Sequence, residues 1–566
     1  MSHDKVILTV SSEQDMRVIF KIRHDVYASE LKQHPENSKK LLTDDLDLVN
    51  HYIVAKHHSH VIGFVSITSP NSGKYSVDKY FSRSAVPYPF DDKMYEIRLL
   101  TVVKENRNNY LAIALMFAAF RWVQSHGGKY IVAICRSDLV AMYCKAGLQL
   151  LNVSAQSGKL TYTLSTAAID DLQMMMQKKV QFYKSLEAKI DWQLPFMFFA
   201  SSNCYHGGSF FKAIGEDFQT LQKTEQIINA DVLDAWFSPS PDVLNMLNND
   251  LAWFLKTSPP TYAAGLIKVI AEVREISDRC ILTGAGSSNL IFLSLRTLLN
   301  PNSKVLIIDP CYGEYIHVLE NIIQCHVTKF NLKREDGFIV DTDLLLQEIR
   351  KIYDMVILVN PNNPTGVYIP KEKMMEMLVQ VPRSTLIWID ETYIEYAGVN
   401  KSLEQVASKT ENVIICKSMS KVYALSGVRA AYLCCSPHLI ETLKHYTPPW
   451  AVSLPAQAAA IVALRDIAYY EEKYKETHVL RNKLKQQLFK LGITEVVDGV
   501  SNFLLFYLPV HFPPKGIFLD RCMKQNLFLR DVQNMGEDLR GNAIRIAVKD
   551  ERTNNKMIDI IGANAY

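Results

Sequence analysis

The stretch SMSKVYALSGVR, residues 418–429, comes after the apolar run VIIC and sets Lys421 among small polar residues, with Arg429 eight positions later. An amine at the mouth of a buried strand is costly unless it has a partner or a chemical task. Other apolar runs also end in reactive residues: VLIID leads to Tyr312 in DPCYGEY, MVILV to Asn363 in NPNNPTG, and LIWID to Asp390 and Tyr393 in DETYIEY. An amine, a carboxylate, an amide, phenols and a guanidinium are the set that pyridoxal phosphate chemistry uses, because a lysine amine condenses with the cofactor aldehyde. Asp390 would keep the pyridine nitrogen protonated. The turn TGAGSSNL places Gly286, Ser287 and Ser288 before the helical IFLSLRTLL, where free N–H groups and hydroxyls can face a phosphate. Arg429 adds a cationic fork and Ser418 a further hydroxyl.

The runs carrying these residues are short and continuously apolar, as strands buried on both faces require, and helical stretches separate them. That pattern predicts an α/β fold over residues 226–566, a mostly parallel sheet with helices on both faces. The ligand site of such a sheet lies outside the carboxyl ends of its strands. Residues 1–165 read as a second, mixed α/β domain, with strands VILTV, HYIVAKH, VIGFVSIT, YEIRLLTVV, KYIVAICR and KLTYTLS and helices MRVIFKIRHDVYASEL and LAIALMFAAFRWVQSHG. Between them, residues 166–225 read as a helical connector whose Met-rich stripe packs on a neighbour and whose Gly207 and Gly208 form a turn.

With 566 residues, 48% hydrophobic and 21% charged, the chain can bury a sizeable core. A net charge of +3 without like-charge blocks gives no footprint for nucleic acid or an acidic membrane surface. Ten cysteines without a CxxC pair fit a reducing cytoplasm, and no metal is expected. The N-terminus reads as a first strand and not as a signal peptide, and no apolar run reaches the roughly 18 residues of a membrane span.

Residues 226–566 resemble a fold-type I, class I/II aminotransferase of the histidinol-phosphate aminotransferase and threonine-phosphate decarboxylase branch. The motifs ILTGAGSSNLIF, DPCYGEY, NPNNPTG, DETYIEYAG, SMSKVYALSGVRAAYL and IRIAV carry the resemblance, in family order and at family-like spacing. It implies Lys421 as the cofactor-bonding lysine and proton shuttle and Asp390 as partner of the ring nitrogen. Asn363 and Tyr393 would bind the ring hydroxyl, and Tyr312 would stack on the ring. Gly286, Ser287, Ser288, Ser418, Ser420 and Arg429 would hold the phosphate. On the substrate side it implies Arg545 for the α-carboxylate, Arg530 for an anionic tail and Asn502 as a polar contact, with Glu395 either catalytic or a structural partner. It also implies a small C-terminal α/β subdomain and a homodimer, in which Tyr262 would reach the neighbouring subunit's phosphate. Transamination of an α-amino acid is the family default. The alternative is decarboxylation, or elimination and replacement at Cβ or Cγ, as on S-adenosylmethionine. The chain departs from the pattern at Ala431, at VKD after Arg545, and at DAWFSPSP, where an Arg-Tyr-Pro element is missing.

Residues 1–165 resemble the GCN5-related N-acyltransferase fold, with likeness to acyl-homoserine-lactone synthases, through Arg23, Tyr27, Asp44, Asp47, Gly63 and YEIRLLTV. The resemblance implies acetyl-CoA or another acyl donor, Glu96 as general base or as salt-bridge partner of Arg98 or another cation, and Arg107 at the start of the pyrophosphate loop. That loop reads RNNYLA, so Tyr110 stands where a glycine is expected. The domain is either an acyltransferase or a binding and assembly module.

Overall fold

A computed structural model describes residues 5–107, 109–157, 160–199 and 207–565. The chain divides into two units, Met1–Ser201 and Ser202–Tyr566.

In the first unit, strands β1 (Val6–Val10), β2 (Asn50–His57), β3 (His60–Thr68), β4 (Met94–Val102), β5 (Tyr130–Arg136), β6 (Gln149–Ser157), β7 (Leu160–Ala168) and β8 (Ile190–Gln193) form one sheet. Their order is β6-β7-β5-β4-β3-β2-β1-β8. The helix Asn109–Ser125 is buried on all sides in the core of this unit from Ala114 to Val123, including Leu115, Phe117 and Phe120, as an apolar helix within a core requires. β4 and β5 run parallel but pair only from Met94 with Tyr130 to Ile97 with Ala133. Beyond that point β4 carries an irregularity against β3, and Leu99 takes a φ of 53°. A bulge of this kind turns a strand away from its neighbour.

The segment read as a connector is shared between the units. Helices Ile169–Lys178 and Val180–Glu187 place Leu172, Met176, Tyr183 and Leu186 in the N-terminal core, and β8 extends the N-terminal sheet beside β1. The Met-rich stripe is core packing. Gly207 and Gly208 belong to the second unit.

There, β9 (Ile228–Asn229) is followed by β10 (Ile281–Gly284), β11 (Lys304–Asp309), β12 (His326–Asn331), β13 (Met355–Val359), β14 (Leu386–Asp390), β15 (Val413–Ser418) and β16 (Ala431–Cys434). The last seven build a sheet in the order β10-β16-β15-β14-β13-β11-β12, parallel from β12 to β15 and antiparallel at β16 and β10. β13, β14 and β15 are buried almost end to end, with Trp388 among the largest fully buried side chains. The chain reverses direction across the sheet at β11, which lies between β12 and β13, and such a switch point opens a crevice at the carboxyl ends. β17 (Phe503–Tyr507), β18 (Leu527–Phe528), β19 (Arg530–Asp531) and β20 (Ala543–Ala547) follow. β17, β20 and β19 form a three-stranded sheet with helices Lys515–Lys524 and Glu551–Ala563 nearby in sequence, the expected small subdomain. β18 pairs with β9, which ties residues just before Asp231 to the subdomain.

Candidate active site

The carboxyl ends of β13, β14 and β15 open into a cavity of about 310 Å³. Tyr312, Asn363, Asp390, Tyr393, Ser418, Ser420 and Lys421 line it, Asp390 and Ser418 from the ends of their strands and the others from the loops that follow buried strands. Ser287, Ser288 and Arg429 line one side, and Arg530 and Arg545 another.

Lys421 is largely buried, and burial holds its amine below the ordinary lysine range. Its Nζ donates to Asp234 Oδ1 at 2.9 Å. Asp390 is buried at the end of β14, where burial pushes its carboxyl up. It accepts from the Thr392 N–H at 2.9 Å and from the Tyr315 hydroxyl at 2.8 Å. Trp388 Nε1–H in turn donates to the Tyr315 oxygen at 2.8 Å. Among the described residues no lysine or arginine forms an ion pair with Asp390. A buried carboxylate oriented by two donors and lacking a cation fits a protonated ring nitrogen.

The opposite end fits a phosphate. Gly286 caps the helix Ser287–Leu298 with a φ of 88°, and a Cβ there would collide with the Arg429 guanidinium. Only glycine allows that approach. Arg429 donates to the Ser426 carbonyl at 3.2 Å and reaches Ser420 Oγ at 3.5 Å. Ser288 donates to the buried Glu314 at 2.9 Å, a carboxylate that motif reading missed. The helix start, hydroxyls and guanidinium make an anion cradle.

Arg545 is buried on β20, which pulls its guanidinium down to about 10. It donates to Asn363 Oδ1 at 2.5 Å and to the Asp231 carbonyl at 2.9 Å, and among the described residues its Nε has no hydrogen-bond partner. Asn363 keeps its amide N–H groups for another acceptor. Arg530 faces Arg545 across β19 and β20 and meets Asp231 Oδ1 at 3.3 Å.

Other expected residues lie elsewhere. Asn502 is fully buried and does not line the cavity; its amide donates to the Leu233 carbonyl at 3.0 Å, so it supports the wall and does not face a substrate. Glu395 pairs with Lys417 at 2.6 Å and Arg274 at 3.0 Å, a structural partner in a buried cluster that includes Glu391 and Glu404. Tyr262 lines a separate cavity of about 430 Å³ with Lys444 and Pro449.

In the N-terminal unit, Arg23, Asp44, Asp47 and Arg98 form one ion-paired cluster, and Tyr27 bonds Thr101 at 2.8 Å. Glu96 stands apart from it. Its oxygens accept from the Ser76 N–H and hydroxyl and from the Val77 N–H at 2.5–2.9 Å, so it caps a turn, and among the described residues it forms no ion pair with Arg98. A base whose acceptors are filled by three structural donors is poorly placed to take a substrate proton. Arg107 is clamped bidentately by Glu30, at 2.5 and 2.6 Å, and Asn108 of its loop lies outside the described residues.

The family model for aminotransferase class I and II matches residues 230–559, and the acetyltransferase (GNAT) domain model matches residues 22–117. The chain is 26% identical over 328 residues to the histidinol-phosphate aminotransferase of Rhodopseudomonas palustris (strain BisB18), covering 57% of this chain and 87% of that protein. It is 30% identical over 307 residues to histidinol-phosphate aminotransferase 1 of Bacillus thuringiensis subsp. konkukian (strain 97-27), covering 54% and 80%. The crystal structure of the histidinol-phosphate aminotransferase from Clostridium acetobutylicum superposes with a TM-score of 0.55 at 27% identity, covering 60% of this chain and 98% of that one.

Proposed function

Because the chain belongs to the class I and II aminotransferase family, we propose that its C-terminal unit holds pyridoxal phosphate in the Lys421 cavity and transfers the amino group of an α-amino acid. The observation that carries this reading is the convergence of Lys421, Asp390, Arg429 and Arg545 on one cavity. When bound, the cofactor supplies an electron sink for charge developing at the substrate Cα. Arg429, Ser287, Ser288, Ser418 and Ser420 would grip its phosphate, and Gly286 would let the helix start approach. Asp390 would hold the ring nitrogen protonated, with Tyr315 and Trp388 fixing the carboxylate. Asn363 and Tyr393 would orient the ring, and Tyr312 would pack on it.

Arg545 would bind the substrate α-carboxylate, its free Nε among the donors. Lys421 Nζ, held low by burial, would accept the Cα proton and return it elsewhere. The test is absorption of the purified protein, borohydride trapping with peptide mapping, and a panel of L-amino acids. Label on Lys421 and conversion of the cofactor to its amine form are expected. An unmodified Lys421 rejects the site, and carbon dioxide or an eliminated group as product assigns the alternative chemistry.

The family precedent and the exposed Leu244, Leu251, Trp253 and Leu255 on the helix Pro241–Lys256 support a homodimer, with Tyr262 directed to the partner's site. Light scattering tests it, and a monomer rejects it. For the N-terminal unit, the filled acceptors of Glu96 and the clamped Arg107 favour binding or assembly over acyl transfer from acetyl-CoA. Turnover of acetyl-CoA with an amine acceptor would reverse that preference. Among the described residues no cysteine forms a disulfide, which supports a reducing compartment such as the cytoplasm. Among the described residues no helix is long and apolar enough to cross a membrane.

A further inference from the structure

Two guanidiniums on one wall would suit an amino acid carrying an anionic tail, Arg545 taking the α-carboxylate and Arg530 the tail. The surroundings of Arg530 argue otherwise. Asp231 is 1% exposed, and its Oδ1 lies 3.3 Å from Arg530 NH1. Its Oδ2 accepts the Gly208 N–H at 2.9 Å. Gly207 has a φ of 90°, and a Cβ there would stand 2.6 Å from both Asp231 carboxylate oxygens. The glycine pair thus closes a backbone turn on the carboxylate.

The main chain also fixes Asp231 from the other side. β9 pairs with β18, the Ala230 N–H donates to Phe528 O at 3.0 Å, and the Asp231 carbonyl accepts from Arg545 at 2.9 Å. The carboxylate is a fixed counter-ion and not a side chain that swings aside. Displacing it would leave a buried charge unpaired, which is far costlier than any rim contact could recover.

Other negative groups stand close by. Asp234 pairs with Lys421, and Glu314 is buried beside Ser288. Once Lys421 is committed to the cofactor, Lys549 is the cation left beside Asp234. With an α-carboxylate on Arg545, a phosphate or second carboxylate would meet the Asp231 carboxylate at Arg530.

Building on the function proposed above, we infer that the enzyme selects an α-amino acid whose side chain carries no negative charge, because Asp231 already occupies Arg530. This separates the chain's substrate class from that of phosphate-ester amines.

Calorimetric titration of the full-length, cofactor-loaded protein tests this with matched pairs, L-threonine against O-phospho-L-threonine and L-glutamine against L-glutamate, together with L-methionine and L-lysine. The tightest ligand is expected to be uncharged or cationic, and each anionic partner to bind about tenfold more weakly or worse. An anionic amino acid as the tightest ligand overturns the inference and leaves the cofactor chemistry standing. Asp231→Asn, with its cofactor absorbance intact, is expected to narrow or reverse both pairs by removing the negative charge beside Arg530. An unchanged order in that variant overturns the inference as well. Should the variant not fold, the wild-type pairs still decide. If no amino acid binds or perturbs the cofactor, the proposed function itself fails and this inference falls with it.

Discussion

Asp234 Oδ1 lies 2.9 Å from Lys421 Nζ, so a carboxylate from DAWFSPSP is the counter-ion of the amine that would bond the cofactor aldehyde. Burial lowers the Lys421 pKa, and Asp234 opposes that fall. An amine attacks an aldehyde only when neutral. Asp234→Asn should therefore shift the pH midpoint of cofactor uptake by the apoprotein downward, by about one unit. Stopped-flow absorbance reads this directly. A midpoint that stays put or rises would show that Asp234 does not govern the lysine.

Tyr315 links Trp388 to Asp390 through two 2.8 Å hydrogen bonds. Tyr315→Phe strips a donor from a buried carboxylate and an acceptor from a buried indole, a cost of about 1–3 kcal/mol. Cofactor affinity should fall about ten- to hundredfold, measured by fluorescence titration of the apoprotein. An unchanged affinity would mean that the relay does not orient Asp390.

Removing the Arg545 side chain should spare the cofactor and weaken amino acid binding. A charge-assisted hydrogen-bonded pair contributes about 1.5–3 kcal/mol, so Arg545→Ala should raise the amino acid Kd about ten- to hundredfold. Absorbance titration separates the two effects. Loss of cofactor with retained amino acid affinity would place Arg545 in another role.

Lys417, 2% exposed, bonds Glu395 at 2.6 Å within a cluster that also holds Arg274, Glu391 and Glu404. Lys417→Met leaves Glu395 with less compensation and should destabilise the second unit by roughly 3–5 kcal/mol. A chemical denaturation midpoint within error of wild type would refute it.

Glu391 adds a pH dependence, because burial pushes its carboxyl up to about 7. Its folded pKa is above the unfolded value of about 4.3, so the protonated form favours the native state. That contribution is full below about 4.3 and is lost as pH rises through about 7. Glu391→Gln, neutral throughout, should gain stability relative to wild type as pH rises from about 5 to 8. Thermal midpoints at fixed cofactor concentration test this, and parallel curves would contradict it.

Lys421, Asp390 and Asn363 were legible along the chain because each closes or follows a short apolar run, and the end of a buried strand is a local property of sequence. The helix start at Gly286 was legible for a similar reason, since glycine and serines before a helical run mark a cap. Asn502, Glu96 and Arg107 had the right residue types, but the partners that occupy them, Leu233, Ser76 and Glu30, lie in distant stretches. Asp231, Asp234 and Tyr315 carried no such signal, because their importance rests on contacts made only when strands far apart in sequence pair. The order of residues thus determined the cofactor chemistry. The pairing of β9 with β18 and of β19 with β20 decided which arginine meets a carboxylate, since charge compensation depends on distance through space and not on separation along the chain.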